Sequence, residues 1–339
     1  MQNQSTANSA NTGTFPGKVN LLTKVTSGNP QAAAVEFPRA GVKRRGARTH
    51  SVRAGRSRSQ PEGPGMMMVL PFSSRPQSHI PPTIDADAWR LAQRIHRSLL
   101  PENFRDARVD VAVHYEEHEI LGGDYCSVFK RTEDRLFICV CDVTGHGLPA
   151  ALLAGRISSF VQHEITVAHQ PCEVVDALNR FVAGHFDGLG IYATFLCVDI
   201  DLRRGAIAYA GAGHPPALLQ RRDGTFESLD SLSPLIGVFP EMGRSCRVSS
   251  TNFASGDRLL LFTDGLSETR NADGEMLGID GVKAILHRIH EATDSEGILA
   301  ELAAARRRFA RHEIPDDDVL VVATRFTFQD PHFAPAAGE

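Results

Sequence analysis

Several aspartates lie next to apolar segments that are typical of buried strands. Asp142 follows the run from Phe137 to Cys141, and Asp264 comes two residues after Phe262, where another apolar run ends. Carboxylate oxygens are hard ligands that suit Mg²⁺ or Mn²⁺. A single aspartate in such a position more often caps a turn or a helix, so no one of them is decisive. Their combination predicts a site for divalent cations.

Glycines and further acids strengthen this interpretation. Asp142 begins the glycine-rich segment 142–147, and Asp124 follows the pair Gly122-Gly123. Backbone without side chains can approach an ion or a phosphate closely. Three consecutive acids, Asp316 to Asp318, precede the last apolar run, and they repel one another unless a cation or solvent relieves the repulsion. Because no matched set of His and Cys residues accompanies these acids, the sequence argues against zinc.

The charge of the chain is distributed unevenly. The 339 residues carry a formal net charge of −4, but residues 1–80 hold eleven Lys or Arg and only two acidic residues, which gives this segment +9 and the remainder −13. An acidic remainder fits cation binding better than nucleic-acid binding. Residues 1–80 are rich in Gly, Ser, Pro and Arg without apolar periodicity, which predicts a disordered basic tail. The methionine run at 66–68 adds the hypothesis that translation starts near it and that the first 65 residues are a gene-model artefact.

The cysteines and the lengths of the apolar runs bear on the compartment. None of the six cysteines forms a C-x-x-C pair, and three lie inside apolar runs, so we interpret them as core thiols in a reducing cytoplasm. No run reaches the roughly 18 to 20 apolar residues that a membrane helix needs. The sequence therefore predicts a cytoplasmic protein without a membrane segment.

The spacing of the apolar residues predicts an α+β fold. Helical spacing extends over residues 86–100, 149–162, 173–186, 282–291 and 295–312. Strand-like runs cover residues 109–113, 136–141, 194–200, 206–210, 217–220, 258–262 and 319–328. The strands come in antiparallel-looking groups with helices set apart from them, rather than in a regular βαβ alternation. We divide the chain into the tail 1–80, a leading linker and regulatory helix at 81–101, a globular domain at 102–328 and a disordered C-terminal tail at 329–339.

Five motifs occur in the order and approximate spacing of one known family. They are Leu121-Gly122-Gly123-Asp124, Asp142-Val143-Thr144-Gly145-His146-Gly147 with Pro149-Ala150-Ala151-Leu152, Ala212-Gly213-His214-Pro215-Pro216, Phe262-Thr263-Asp264-Gly265-Leu266 with Glu268, and Asp317-Asp318 before a strand. In these motifs the sequence resembles the phosphatases of the stage II sporulation protein E type, which belong to the metal-dependent PP2C superfamily. The resemblance covers about residues 86–326. Each motif alone is weak, but five in register are strong.

The resemblance implies a fold and a site. The fold would be an α/β/β/α sandwich of two antiparallel sheets flanked by helices, with two divalent cations, Mn²⁺ or Mg²⁺, at one end. Asp142 would bridge both cations with help from the Val143 carbonyl. Asp124 would bind one of the cations, and Asp264 and Asp317 would bind the other. Asp142 and Asp264 would thereby take part in catalysis.

Further residues keep alternative roles under this resemblance. Asp316 or Asp318 could replace Asp317, because the register of an acidic run is uncertain by one residue. His146 could donate a proton to the leaving seryl oxygen in catalysis, or it could shape the loop. His214 is expected to organise a turn near the site.

The activity that the resemblance implies is that of a protein serine/threonine phosphatase. Two cations about 3.5 to 4 Å apart would activate a water for in-line attack on phosphorus. The substrate would be a phosphoserine or phosphothreonine on a regulatory protein of the anti-sigma factor antagonist type, with neither nucleic acid nor a membrane as partner. Family members often form a homodimer through a helix such as 86–100, and packing of this helix on its own domain is the open alternative.

Two other functions remain to be separated from this one. A catalytically weak phosphatase-like domain would act as a scaffold or partner switch, and an assay of phosphatase activity with and without Mn²⁺ distinguishes it. A hydrolase of small phosphate esters or nucleotides would keep the metal site, but the sequence holds no adenine-binding motif and its glycine-rich loop lacks the Lys-Ser/Thr of a P-loop.

Overall fold

The computed structural model describes residues 85–240, 246–312 and 314–327. The tails predicted at 1–80 and 329–339 lie outside the described residues, and the domain boundaries stay predictions. The helices are α1 (Ala86–Arg97), α2 (Gly147–Val167), α3 (Pro171–His185), α4 (Asp264–Ser267), α5 (Gly278–Leu286) and α6 (Ser295–Ala310). The strands are β1 (Phe104–Arg105), β2 (Val109–Glu116), β3 (Tyr125–Thr132), β4 (Arg135–Val143), β5 (Ala193–Asp201), β6 (Ala206–Ala212), β7 (Ala217–Gln220), β8 (Phe226–Leu229), β9 (Ser249–Asn252), β10 (Arg258–Phe262) and β11 (Val319–Phe326).

The strands form two antiparallel sheets. The first sheet has the order β1-β2-β11-β10-β7-β8, and the second has the order β3-β4-β5-β6-β9. The apolar core between the sheets includes Leu136 and Ile138 of β4 and Leu320 of β11. A second core packs the outer face of the second sheet against α2 and α3, and a third packs the first sheet against α5 and α6. The layers therefore run helix, sheet, sheet, helix, which confirms the predicted α+β fold with two antiparallel sheets flanked by helices.

Strand β4 shows why a continuous apolar run forms a strand here. Leu136, Ile138 and Val140 face the other sheet, whereas Phe137 and Cys139 face the helices. Both faces of the strand are buried, so polar residues do not alternate with apolar ones. The described cysteines are free, and four of the six are buried, in line with the predicted core thiols.

Some elements differ from the sequence prediction. Strands β1, β3, β8 and β9 and the short helix α4 were not predicted, because their sequences are polar, mixed or very short. Helix α2 spans Gly147–Val167 rather than 149–162, and α5 lies at Gly278–Leu286 rather than 282–291. Helix α1 ends at Arg97, where the Ser98 hydroxyl donates to the Ile95 carbonyl. Among the described helices, none combines the length and the apolar character needed to cross a membrane.

Candidate functional site

The predicted aspartates lie at neighbouring strand ends. Asp124 directly precedes β3, and Asp142 is the second-last residue of β4, which pairs antiparallel with β3. Asp264 follows β10, and Asp318 directly precedes β11, which pairs antiparallel with β10. Antiparallel neighbours bring the end of one strand beside the start of the next. In each sheet, the two acidic positions therefore lie side by side at the same end of neighbouring strands.

The neighbouring carboxylates act electrostatically on Asp142. Burial raises the pKa of Asp142 to about 7, and the charges of Asp264, Asp317 and Asp318 add to the rise. A hydrogen bond with Asp124 acts in the opposite direction. Acids from both sheets thus act on the carboxyl group of Asp142, so the acidic strand ends of the two sheets lie close together in the structure.

Asp124 is 3% exposed and is held by a threonine from the other sheet. Burial and the charge of Asp142 raise the pKa of Asp124 well above its usual range. Thr263 donates a 2.7 Å hydrogen bond from its hydroxyl to Asp124 Oδ2, which favours the ionised form. The same hydroxyl accepts the backbone N–H of Leu320 at 3.0 Å. Thr263 therefore ties Asp124 to the start of β11.

Asp264 and Asp317 form the more open part of the site. Asp264 begins α4 and is partly buried, and burial, Asp317 and Glu268 raise its pKa. Asp317 is exposed, and its Oδ1 accepts the backbone N–H of Asp318 at 2.8 Å. The second oxygen of Asp317 has no hydrogen-bond partner in the described part of the chain, so it can accept a ligand.

Unlike the other two acids of the run, Asp318 is buried and holds the backbone of a distant segment. It is 5% exposed, and its two carboxylate oxygens accept the backbone N–H groups of His118 and Gly123, each at 2.8 Å. A Cβ at Gly122 would lie 2.0 Å from Asp318 Oδ2 and 2.0 Å from the Tyr115 hydroxyl. The buried carboxylate therefore anchors the Gly-Gly turn that precedes Asp124.

Asp316 lies near His312. It is exposed, and its Oδ1 lies 3.9 Å from His312 Nε2. Asp316 does not contribute to the pKa shifts described for Asp142 and Asp264, whereas Asp317 raises both. The charge of Asp317, rather than that of Asp316, acts on Asp142 and Asp264, and Asp317 as the ligand of the acidic run stays a prediction.

The backbone of the loop after β4 is shaped for close approach. A Cβ at Gly123 would lie 2.8 Å from the Val143 carbonyl oxygen, so this carbonyl lies against the turn that carries Asp124. Gly145 and Gly147 have φ of 95° and 71°, in the left-handed region that favours glycine. Thr144 donates its N–H to the Tyr192 carbonyl at 3.0 Å, which fixes the loop to the segment before β5.

His146 lies at the rim rather than in the buried part of the site. Its side chain is 64% exposed, and its Nδ1 lies 2.8 Å from Glu119 Oε1. The His118 ring meets the His146 ring edge-on, with 6.3 Å between the centroids. This contact orients the imidazole, and the predicted role in proton donation stays a prediction.

His214 is a buried, neutral residue. Its Nδ1 hydrogen-bonds with the Thr194 hydroxyl at 2.7 Å, and Thr194 lies directly opposite Asp142 in the β4–β5 pairing. Burial lowers the pKa of His214 to about 3. His214 therefore hydrogen-bonds to the residue that pairs with Asp142 and adds no positive charge there.

The donor set fits hard divalent cations. The four aspartates Asp124, Asp142, Asp264 and Asp317 and a backbone carbonyl offer oxygen atoms only, which suits Mg²⁺ or Mn²⁺. The raised pKa values of Asp124, Asp142 and Asp264 record repulsion and burial that a cation would relieve. Among the described residues, no group of three or more His, Cys, Asp or Glu side chains is close enough together to hold a metal ion as it stands.

Sequence reasoning missed the supporting residues. Thr263 and Asp318 lie inside the quoted motifs, but their hydrogen bonds to Asp124 and to Gly123 depend on contacts between distant segments. A buried hydroxyl between an apolar run and Asp264 was the available signal for Thr263. Glu119 gave no signal, since it lies in a polar loop.

Comparison with known proteins places this geometry in a family. The profile of the family Stage II sporulation protein E (SpoIIE) matches residues 132–327, more than half of the chain. The phosphoserine phosphatase RsbP of Bacillus subtilis is 33% identical over 181 residues, which are 52% of this chain and 44% of RsbP. The phosphoserine phosphatase RsbU of the same organism is 23% identical over 69% of each chain. This chain thus spans less than half the length of RsbP.

The fold also matches a solved structure. The SiaA-PP2C domain of Pseudomonas aeruginosa superposes with a TM-score of 0.60 at 20% identity, covering 71% of this chain and 96% of that domain. At this identity the likeness concerns the fold, which is the two-sheet sandwich described above. With the profile match, the shared sandwich and the acidic motifs at its edge, the chain belongs to the stage II sporulation protein E family.

Proposed function

We propose that this chain is a divalent-cation-dependent protein serine/threonine phosphatase. The observation that carries the proposal is the convergence of acids from two sheets on Asp142, whose pKa is raised to about 7 by burial and by Asp264, Asp317 and Asp318. Repulsion of this size in a partly buried site suits a group that works with bound cations. The relatives named phosphoserine phosphatases support the same reaction.

Each residue has a role in this proposal. Asp142, the Val143 carbonyl and Asp124 would hold one cation, and Asp142, Asp264 and Asp317 would hold the other. Bound cations would supply an activated water and neutralise charge on the phosphoryl oxygens. The protein orients the ligands: Thr263 fixes Asp124, and the loop from Val143 lies against Gly123.

The test compares hydrolysis by three proteins. The purified chain is assayed on para-nitrophenyl phosphate and on a phosphoserine peptide, with Mn²⁺ and with a chelator. We expect Mn²⁺-dependent phosphate release, and Asp142→Asn should reduce the rate by at least about 100-fold. Asp280→Asn is the matched control, because the Asp280 side chain is fully exposed on α5 and should leave the rate unchanged.

Two outcomes would contradict the proposal. Full activity of Asp142→Asn with Mn²⁺ would remove the assignment of the site. A wild-type chain that binds a phosphoprotein but releases no phosphate would instead be the phosphatase-like scaffold or partner switch.

The physiological substrate in the proposal is a phosphoserine or phosphothreonine on an anti-sigma factor antagonist in the cytoplasm. The Asp142→Asn variant should retain such a substrate, since the binding surface stays while turnover stops. Pull-down from the native cell with this variant, followed by mapping of the phosphosites, tests the assignment. Equal recovery of the candidate with its phosphosite changed to alanine would contradict it.

A further inference from the structure

Two arginines face each other at the sheet end that lies away from the carboxylates. Arg258 begins β10, and it pairs directly with Arg325 near the end of β11. Directly opposite residues of an antiparallel pair have Cβ atoms about 4.5 to 5.5 Å apart, and like charges there are destabilising. Asp264 comes six residues after Arg258, about 20 Å along an extended strand. The arginine pair is therefore separate from the candidate active site.

Arg258 is buried among neutral acceptors. It is 7% exposed, and its guanidinium donates to Gln220 Oε1 at 3.5 Å and to the carbonyl oxygens of Ile289 and His290 at 3.4 and 2.5 Å. Burial and the charge of Arg325 lower the pKa of Arg258. The charge of Glu291 acts in the opposite direction. The hydrogen bonds of this buried cation nevertheless go only to neutral acceptors, so its lost hydration is only partly offset.

Part of the Arg325 guanidinium is free to donate a further hydrogen bond. Its Nε is buried and has no hydrogen-bond partner among the described residues. The pKa of Asp294 is lowered chiefly by hydrogen bonds from the Gly297 backbone and from Arg105, the latter at 2.9 Å, and to a smaller extent by the charge of Arg325. Because Asp294 is shared with Arg105, the guanidinium of Arg325 can donate a hydrogen bond to a further acceptor.

Two adjoining cavities open onto this pair. Their volumes are about 290 Å³ and 360 Å³, Arg325 lines the first, and Arg258 lines the second. Both cavities are lined by Arg222, Gly256 and Glu291. The space is large enough for a small polyatomic anion, and the anion would contact several guanidinium groups.

Positive charge exceeds negative charge in these cavities. The arginines that line them without an ion pair to a carboxylate within the described ranges are Arg222, Arg258, Arg288 and Arg325. The lining carboxylates are Asp223 and Glu291, and Asp223 already accepts two hydrogen bonds from Thr225. Arg221 also lines the larger cavity, but Glu227 and Asp257 pair with it.

We propose that this distal arginine cleft, formed by Arg222, Arg258, Arg288 and Arg325, binds a small phosphate-class oxyanion, either free phosphate or a phosphate monoester. A tetrahedral oxyanion offers acceptors to several planar guanidinium forks at once, which are the geometry and charge that arginine recognises. The bound anion would offset the repulsion between Arg258 and Arg325.

The test measures thermal unfolding of the full chain in a chelator, with phosphate or chloride at equal ionic strength. Phosphate should raise Tm above chloride in a saturable way, because a ligand of the folded state stabilises it. Arg222→Gln and Arg325→Gln should each raise the half-saturating phosphate concentration about tenfold. Arg222 is exposed, so this variant keeps the test valid if Arg325→Gln folds poorly.

Controls separate the cleft from other anion sites. Arg203→Gln, at an exposed arginine in the turn after β5, should leave the phosphate effect unchanged. Asp142→Asn should also retain it, which makes failure of this inference distinct from failure of the proposed phosphatase activity. O-phosphoserine in place of phosphate identifies the source: the compound with the lower half-saturating concentration is the preferred ligand, and either result supports the site.

Two outcomes would overturn the inference. The first is a phosphate effect that is equal in all variants, and the second is no effect beyond that of chloride.

Discussion

Thr263 connects two strands of the candidate site through one hydroxyl. The hydroxyl donates to Asp124 Oδ2 and accepts the N–H of Leu320, so both of its main hydrogen-bonding functions are used inside a fully buried position. Removing it would leave a buried carboxylate and a buried N–H with one partner fewer. Buried polar groups that lose a partner cost more than the average hydrogen bond contributes.

We therefore expect Thr263→Val to weaken both cation binding and folding. Valine has nearly the same shape, but it cannot hydrogen-bond, and the pKa of Asp124 should rise further. The Mn²⁺ concentration for half-maximal activity should increase about tenfold or more, and the free energy of unfolding should fall by about 1 to 3 kcal/mol. Mn²⁺ titration of activity and urea unfolding measure the two effects.

Thr324→Val is the matched control for this change. Thr324 is also fully buried, but its hydroxyl has no hydrogen-bond partner in the described structure. The control should leave the Mn²⁺ dependence unchanged and the stability equal or higher. The same Mn²⁺ shift in both variants would contradict the role of the Thr263 hydroxyl.

The raised pKa of Asp142 predicts a pH dependence of stability in the cation-free protein. The carboxyl titrates near pH 7 when folded and near its usual value of 3.8 when unfolded, so the folded state holds more protons between these values. Stability from this group is complete at low pH and is lost as pH rises through about 7. Urea unfolding between pH 6.5 and 8 in a chelator should show this decline, and Mn²⁺ should counteract it.

Asp142→Asn identifies the group responsible, because asparagine does not ionise. Its stability should decline less than that of the wild type over the same range. The pKa of His214 is lowered to about 3, so His214 destabilises the protein only as pH falls below about 6.5. This effect on stability has the opposite pH dependence to that of Asp142, and the chosen pH range excludes most of it. Parallel curves for the two proteins would refute the assignment.

At the scale of elements, the turn before β3 depends on the acid before β11. Gly122→Ala would place a Cβ 2.0 Å from both Asp318 Oδ2 and the Tyr115 hydroxyl. We expect loss of activity and a decrease in the free energy of unfolding of about 1 to 3 kcal/mol, because the anchored turn must move. Activity assays and urea unfolding report the two effects.

Gly184→Ala serves as the control for glycine replacement. Gly184 lies in α3, and a Cβ there would meet nothing within 4 Å. Alanine in a helix is favoured over glycine by about 0.5 to 1 kcal/mol, so this variant should be as stable as the wild type or more so. If Gly122→Ala behaves like Gly184→Ala, the turn is not constrained as described.

At the scale of the whole molecule, helix α1 leaves two apolar side chains uncovered. Leu91 is 49% exposed and Ile95 is 59% exposed, and their spacing of four residues places them on one helix face. The homodimer that the family resemblance leads us to expect would cover this face. Leu91→Glu combined with Ile95→Glu should convert a dimer into a monomer, as measured by size-exclusion chromatography with light scattering.

Leu189→Glu is the control for the dimer, because Leu189 is 68% exposed outside α1. It should leave the mass unchanged. A wild-type chain that is monomeric at tens of micromolar would contradict the dimer, and α1 would then pack only on its own domain.

Much of this architecture could be predicted from the sequence, and the exceptions have physical causes. Strands such as β10 and β11 are continuous apolar runs, so their burial on both faces was visible. Strand β3 mixes polar and apolar residues, since its second half is partly exposed. The acids were visible at strand ends, but the anchoring by Asp318 was not, because its partners His118 and Gly123 lie about 200 residues away.

Strands β10 and β11 carry acids at one end and arginines at the other. Energetic effects of substitutions more than about 7 to 10 Å apart usually add when the sites share no partner. Changes at Arg325 and at Asp317 should therefore be separable by simple addition in a double variant. A departure from additivity would show that the arginine pair and the acidic site are energetically coupled through the two strands that join them.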